Sequence, residues 1–125
     1  MVVFFSLSVR LTGVGESDRA IIFKPGQTKA YSEGKFSNND REVYFSLHAT
    51  KGQHLVVRIR PLTPGLTTAG VVIYPSGKQD GGPGGTVFDS ELDESGQFRI
   101  RVTQRQTDVN GKFRISVHLS KEHER

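Results

Sequence analysis

The chain has 125 residues, of which 34% are hydrophobic and 24% charged, enough for one domain built round one core. It carries no cysteine, which excludes disulfides, thiolate catalysis and zinc–thiolate sites together. The formal charge of +4 favours acidic partners but is also ordinary for solubility at this size, and no apolar run reaches the roughly 18 residues of a membrane-spanning helix.

Near the start, Val3, Phe5, Leu7, Val9 and Leu11 recur at every second position, which predicts a first strand. The same stretch lacks a basic start, is interrupted by Arg10 and is followed by no small-x-small cleavage site, so a strand or leader remnant is favoured over a working signal peptide. A polar connector, 13–19, leads to the short apolar segment Ala20-Ile21-Ile22-Phe23, stopped by the turn pair Pro25-Gly26. Residues 28–36 read as a strand with Gly34 at a bulge, and Ser37-Asn38-Asn39-Asp40 as a turn. Over 42–49, Val43, Phe45, Leu47 and Ala49 share one face and Tyr44, Ser46 and His48 the other. After the tight turn Lys51-Gly52-Gln53, the strand 54–60 turns Leu55, Val57 and Ile59 inward and Arg58 and Arg60 outward.

Pro61-Leu62-Thr63-Pro64-Gly65 ends that strand, and the nearly continuous apolar run 69–74 predicts a central one, closed by Pro75-Ser76-Gly77. Five glycines within 77–85 predict a flexible loop, and Thr86-Val87-Phe88 restarts extended structure. The acidic turn Asp93-Glu94-Ser95-Gly96 then feeds a strand ending at Val102, and 112–119 repeats its period. The polar link between them ends in Asn110-Gly111, so the two are expected to form a terminal hairpin. No stretch of ten or more residues has helical periodicity without a breaker. The expected fold is all-β, a single antiparallel β-sandwich of jelly-roll-like kind. Residues 1–19 are assigned to an N-terminal strand or leader remnant plus connector, 20–120 to the sandwich domain and 121–125 to a charged tail.

Three stretches carry a resemblance: Tyr44-Phe45-Ser46-Leu47-His48-Ala49-Thr50-Lys51-Gly52-Gln53, then Val72-Ile73-Tyr74-Pro75-Ser76-Gly77, then 92–102. Together they resemble the bacterial pre-peptidase C-terminal domain and its relatives. In that group an A-x-x-G-Q turn, a Y-x-P-x-G turn and a G-x-F/Y-x-I/L-R-V strand recur. Within it the chain is most similar to the periplasmic inhibitors of g-type lysozyme, through Ile22-Phe23-Lys24-Pro25-Gly26, Tyr31-Ser32-Glu33-Gly34 and Arg101-Val102-Thr103-Gln104 followed by Asp108. The resemblance covers about residues 22–119. It implies a β-sandwich, no enzymatic activity, a protein partner such as a g-type lysozyme, and a periplasmic or secreted location. It also implies a more arginine-rich last loop and tyrosines in the Asn38-Asn39-Asp40-Arg41 turn; here the loop has Arg105 alone and the turn has no tyrosine.

On that resemblance the first candidate contact surface is the loop 104–110. Arg105 would pair with cleft carboxylates, and Gln104, Gln106, Asp108 and Asn110 would hydrogen-bond beside it, with Tyr44 and Arg41 as a second lobe. The plain alternative is a solvated loop in which Asp108 caps its own backbone. Arg99, Arg101 and Arg114 are expected on one wet face of the terminal hairpin, either awaiting an acidic partner or paired internally, for example with Glu91 or Glu42. The 77–85 segment is read as a connector or contact loop and not a phosphate loop, since no Lys-Ser/Thr and no helix follows.

No metal or cofactor is expected. His48, His54, His118 and His123 lack ligand spacing, and Asp80, Asp89 and Asp93 form no recognised calcium loop. No nucleophile elbow or carboxylate dyad marks a catalytic centre. Nucleic acid is not expected either, because Phe5, Phe45, Phe98 and Phe113 fall on dry faces and leave Tyr44 as the exposed aromatic. The function implied is that of a binding protein that blocks a lysozyme cleft. The alternative is an accessory module that binds polysaccharide or assists secretion of a hydrolase. The oligomeric state is left open.

Overall fold

Alternation at period two makes each segment dry on one side and wet on the other, so the segments can be buried only by stacking dry faces. The computed structural model describes residues 18–37, 41–105 and 110–121, and these hold nine strands and no helix. The strands are β1 (Arg19–Ala20), β2 (Lys29–Lys35), β3 (Glu42–Ala49), β4 (His54–Pro61), β5 (Thr68–Ile73), β6 (Gln79–Pro83), β7 (Gly85–Glu91), β8 (Gly96–Gln104) and β9 (Lys112–Ser120). One sheet runs β1-β3-β8-β5-β6 and the other β2-β9-β4-β7. Every pairing is antiparallel except that of β1 with β3.

The core lies between the sheets. Phe45, Leu47, Phe98, Ile100, Val102 and Val72 come from one, and Leu55, Val57, Ile59, Phe113, Ile115 and Val117 from the other. Aromatic rings join the two layers: Phe113 meets Phe36 at 5.0 Å and, edge-on, Phe45 at 6.0 Å. Tyr74 packs near the opposite end of the core against Phe98 at 5.2 Å and Phe88 at 6.2 Å. Such pairs add to area burial because ring edge and ring face carry opposite partial charge.

Several sequence expectations are corrected. The segments 96–104 and 112–120 are not a hairpin. β8 is held on both edges by β3 and β5, β9 on both edges by β2 and β4, and the link between them crosses from one sheet to the other. Within 77–85, residues Gln79–Pro83 form the edge strand β6 instead of a flexible loop. Gly81 answers a close approach, since a side chain there would run into the backbone of Gly70 and Val71 on β5. Gly34 is not at a bulge. Its register with β9 is unbroken, and the ring of its cross-strand partner Phe113 lies over it. The irregularity sits instead between Val57 and Arg58, where β4 meets β7.

Ser46 lies on the outer face as expected, opposite Arg99, but it is buried there. β1 runs alongside: Ala20 pairs with Ser46, and the Ile21 amide donates to the Ser46 carbonyl at 2.7 Å. Arg19 belongs to β1 and not to the connector. β5 is interior, as expected of the 69–74 run, but it alternates: Thr68, Gly70 and Val72 are buried while Ala69, Val71 and Ile73 are half-buried on the outer face. The expected strand within residues 1–11 lies outside the described residues.

Candidate functional site

The sandwich has two unlike ends. One gathers the β3–β4, β5–β6 and β7–β8 connections, and these are tied to one another. The Gly52 amide donates to the Leu92 carbonyl and the Leu92 amide to the Gln53 carbonyl, both at 2.8 Å. The Lys51 amide donates to Ser95 Oγ, and the Thr50 amide to Gln53 Oε1, both at 2.7 Å. Glu94 accepts from the Ser76 amide at 3.0 Å and from its hydroxyl at 2.7 Å. Lys78 donates to both Asp93 oxygens, at 2.9 and 3.1 Å, and its ammonium lies 4.2 Å from the centre of the Tyr74 ring. Burial raises the Tyr74 phenol above its ordinary range, against the opposing pull of Lys78. The three turn motifs therefore cross-link at this end, and the side chains of Gln53, Ser76, Lys78, Asp93, Glu94 and Ser95 find their partners within it.

The opposite end gathers the β2–β3, β4–β5, β6–β7 and β8–β9 connections. Gln104 is the last residue of β8, where it pairs with Thr68 of β5; its side-chain amide and the Thr68 hydroxyl are buried without a hydrogen-bond partner among the described residues. Arg105 follows, held by its amide to the Thr67 carbonyl at 2.9 Å, with its side chain exposed. It lines an open cavity of about 340 Å³ with Pro61, Leu66, Thr67, Pro83 and Gly85. Arg41 is exposed and precedes Glu42, which pairs with Thr103, so Arg41 and Gln104 sit at the same end of one sheet. Asn110 is exposed where the chain enters β9. The cross-over is fixed there by Gly111 and Lys112: the Phe36 amide donates to the Gly111 carbonyl, the Leu62 amide to the Lys112 carbonyl, and the Lys112 amide to Thr63 Oγ1. Gln106 and Asp108 lie outside the described residues.

Of the expected contact residues, the fold thus brings Arg41, Gln104, Arg105 and Asn110 to one end. Tyr44 does not join them. It stands two residues inside β3 on the outer face, half-buried rather than exposed, with the Arg99 guanidinium 4.2 Å from its ring centre and its hydroxyl donating to Glu42 at 3.0 Å.

The three arginines expected on one wet face are split. Arg99 and Arg101 belong to β8 and Arg114 to β9, on opposite outer faces of the sandwich. Arg99 is bidentate to Asp18 at 2.8 and 3.0 Å. The Asp18 side chain is only 1% exposed, and its carboxylate holds the Arg99 guanidinium above its ordinary range. Arg101 donates to Gln79 at 3.4 Å, and Arg114 to Glu33 at 3.2 Å. Neither Glu91 nor Glu42 is the partner. Asp89 meets His54 at 2.6 Å, and no group of three metal-ligating side chains forms among the described residues.

No family model matches the sequence, and no curated protein matches it. Solved structures are nonetheless similar in fold. The periplasmic inhibitor of g-type lysozyme PliG from Aeromonas hydrophila superposes with a TM-score of 0.68 at 19% identity, over 83% of this chain and 96% of that one. PliG from Salmonella Typhimurium does so with a TM-score of 0.65 at 16% identity, over 85% and 100%. The pre-peptidase C-terminal domain of a Bacillus anthracis collagenase gives 0.60 at 12%, over 85% and 99%. The chain therefore has the β-sandwich fold that these inhibitors and this domain share.

Proposed function

We propose that this chain is a non-enzymatic, extracytoplasmic binding protein that inhibits a g-type lysozyme. The observation that carries the reading is the match of fold over nearly the whole length of two such inhibitors, 96% and 100% of their chains. The unlike ends of the sandwich support a location for the contact. The turn-motif end pairs Lys78 with Asp93 and Ser76 with Glu94, whereas at the other end Arg105 and Asn110 are exposed and Arg105 lines a cavity.

The mechanism is steric. A rigid sandwich carries the 104–110 loop into the substrate cleft, and Arg105 donates its two-pronged guanidinium to carboxylates there. Gln104 anchors the strand end behind it, Gln106, Asp108 and Asn110 extend the contact, and Arg41 reaches from the β2–β3 side. Tyr44 contributes indirectly, by holding Arg99 and Glu42 on the adjoining face.

The test is turnover of a g-type lysozyme on peptidoglycan with and without the protein. Inhibition near stoichiometric ratios is expected, weakened about tenfold or more by Arg105→Ala, the loss of one charge-assisted contact. Full turnover at large excess of inhibitor would overturn the reading. The likeness to the collagenase domain supports a second one, an accessory module acting beside a hydrolase.

A further inference from the structure

The outer face of the β2-β9-β4-β7 sheet carries a feature that neither the core nor the loop end explains. Alternation turns Tyr31 and Glu33 of β2, Arg114 and Ser116 of β9, and Arg58 and Arg60 of β4 to the same side. Register sets them in two rows across three adjacent strands. Glu33 is opposite Arg114, which is opposite Arg60; Tyr31 is opposite Ser116, which is opposite Arg58. Together they line an open groove of about 710 Å³.

The charges are not balanced. Glu33 pairs with Arg114 at 3.2 Å. Among the described residues no carboxylate pairs with Arg58, which donates to the Thr86 hydroxyl at 3.2 Å, and none with Arg60. Arg60 and Arg114 are direct cross-strand partners, an arrangement that weakens a sheet. A face that tolerates this repulsion gains when an anion enters it, because two guanidinium forks on neighbouring positions suit planar or tetrahedral oxyanions. Beside them Tyr31 is 64% exposed, on an edge strand, with its ring presented to solvent. Ring, forks and the flanking Ser116 hydroxyl supply stacking, charge and hydrogen bonding within one groove, whose volume lies in the usual range for small-ligand sites.

We propose that this groove binds an anionic oligosaccharide, with sulfate, phosphate or uronate groups on Arg58 and Arg60 and a sugar ring on Tyr31. A glycan fits better than single-stranded nucleic acid, which needs several stacking platforms in succession; Tyr31 is the one aromatic side chain that is largely exposed among the described residues. The surface is distinct from the loop end, so this inference goes beyond the inhibitor reading and does not rest on it.

The experiment is calorimetric titration of the full chain at physiological salt with a heparin-derived hexasaccharide as probe. Chitohexaose, an oligothymidylate and hexaglutamate serve as comparisons. Binding of the sulfated probe is expected, with none to the neutral sugar and weaker binding of the other two. The double variant Arg58→Gln/Arg60→Gln should lose affinity about tenfold or more, and Tyr31→Ala about three- to tenfold. Circular dichroism melting checks that both variants fold; Arg60→Gln alone should melt no lower than the parent, because it relieves the pair with Arg114. No binding of the probe would overturn the proposal, as would affinity unchanged in folded variants. Equal or tighter binding of the oligonucleotide or hexaglutamate would also overturn it and reassign the face to nucleic acid or to an acidic protein segment.

Discussion

Two contacts show how much rests on single atoms. Gly34 pairs with Phe113, and the ring covers the place where a Cβ would stand. Gly34→Ala should push Phe113 off Phe36 and Phe45 and cost about 1–3 kcal/mol of unfolding free energy in urea titration, the usual range for overpacking. A variant as stable as the parent would mean that the ring shifts freely. Asp18 fixes the start of the described chain to β8 through a nearly buried carboxylate on Arg99. Asp18→Asn keeps the shape and removes the charge, so about 2–3 kcal/mol should be lost. That is less than for a fully buried pair, since the guanidinium keeps some contact with water. Thermal melting of the same variant with Arg99→Met added should recover part of that loss, because no unpaired charge then remains.

At the scale of elements, much of the strand content was legible. The period-two pattern of 42–49, 54–60 and 112–119 identified dry-face residues that are buried in the structure, among them Phe45, Leu47, Leu55, Val57, Ile59, Phe113 and Ile115. Which strands pair was not legible. Alternation says which face is dry, and in a sandwich the dry faces of both sheets meet the same core. β8 and β9 therefore look like hairpin partners although they belong to different sheets. The Asn110-Gly111 pair misled for a related reason: the chain turns there to change sheets. β6 was missed because three of its five residues, Gly81, Gly82 and Pro83, carry strong turn signals, and the need for a bare backbone beside β5 is a property of the fold.

The end formed by the turn motifs yields a pH prediction. The hydrogen bond from Lys78 lowers the Asp93 carboxyl below its usual range, and the same bond raises the Lys78 ammonium. The Asp93 contribution is present above the pKa of the unfolded side chain and is lost as pH falls through the depressed folded value. That of Lys78 is present below the unfolded value and is lost as pH rises through the raised one. Lys78→Met should therefore flatten the stability profile both below about pH 4 and above about pH 10, read from denaturant midpoints. Both groups are exposed, so the effect is small. Limbs as steep as those of the parent would contradict the coupling.

At the scale of the molecule, the candidate site was legible in part. Loop position and the basic character of Arg105 could be read from residues alone, and Arg41, Gln104, Arg105 and Asn110 do share one end. The partition of Arg99, Arg101 and Arg114 between two outer faces could not be read, because it follows from strand order. For the same reason the Arg58–Arg60–Tyr31 face went unseen: it depends on β9 lying between β2 and β4. The resulting molecule is a sandwich whose turn-motif end pairs Lys78 with Asp93 and Ser76 with Glu94, while Arg105 and Asn110 are exposed at the other end.

That asymmetry is tested most directly by hydrogen–deuterium exchange of the protein alone and saturated with a g-type lysozyme. The account predicts new amide protection over 62–67 and 104–112, with exchange over 50–53, 74–78 and 92–96 unchanged. Protection confined to the turn-motif end, or no change at all under saturating enzyme, would contradict it.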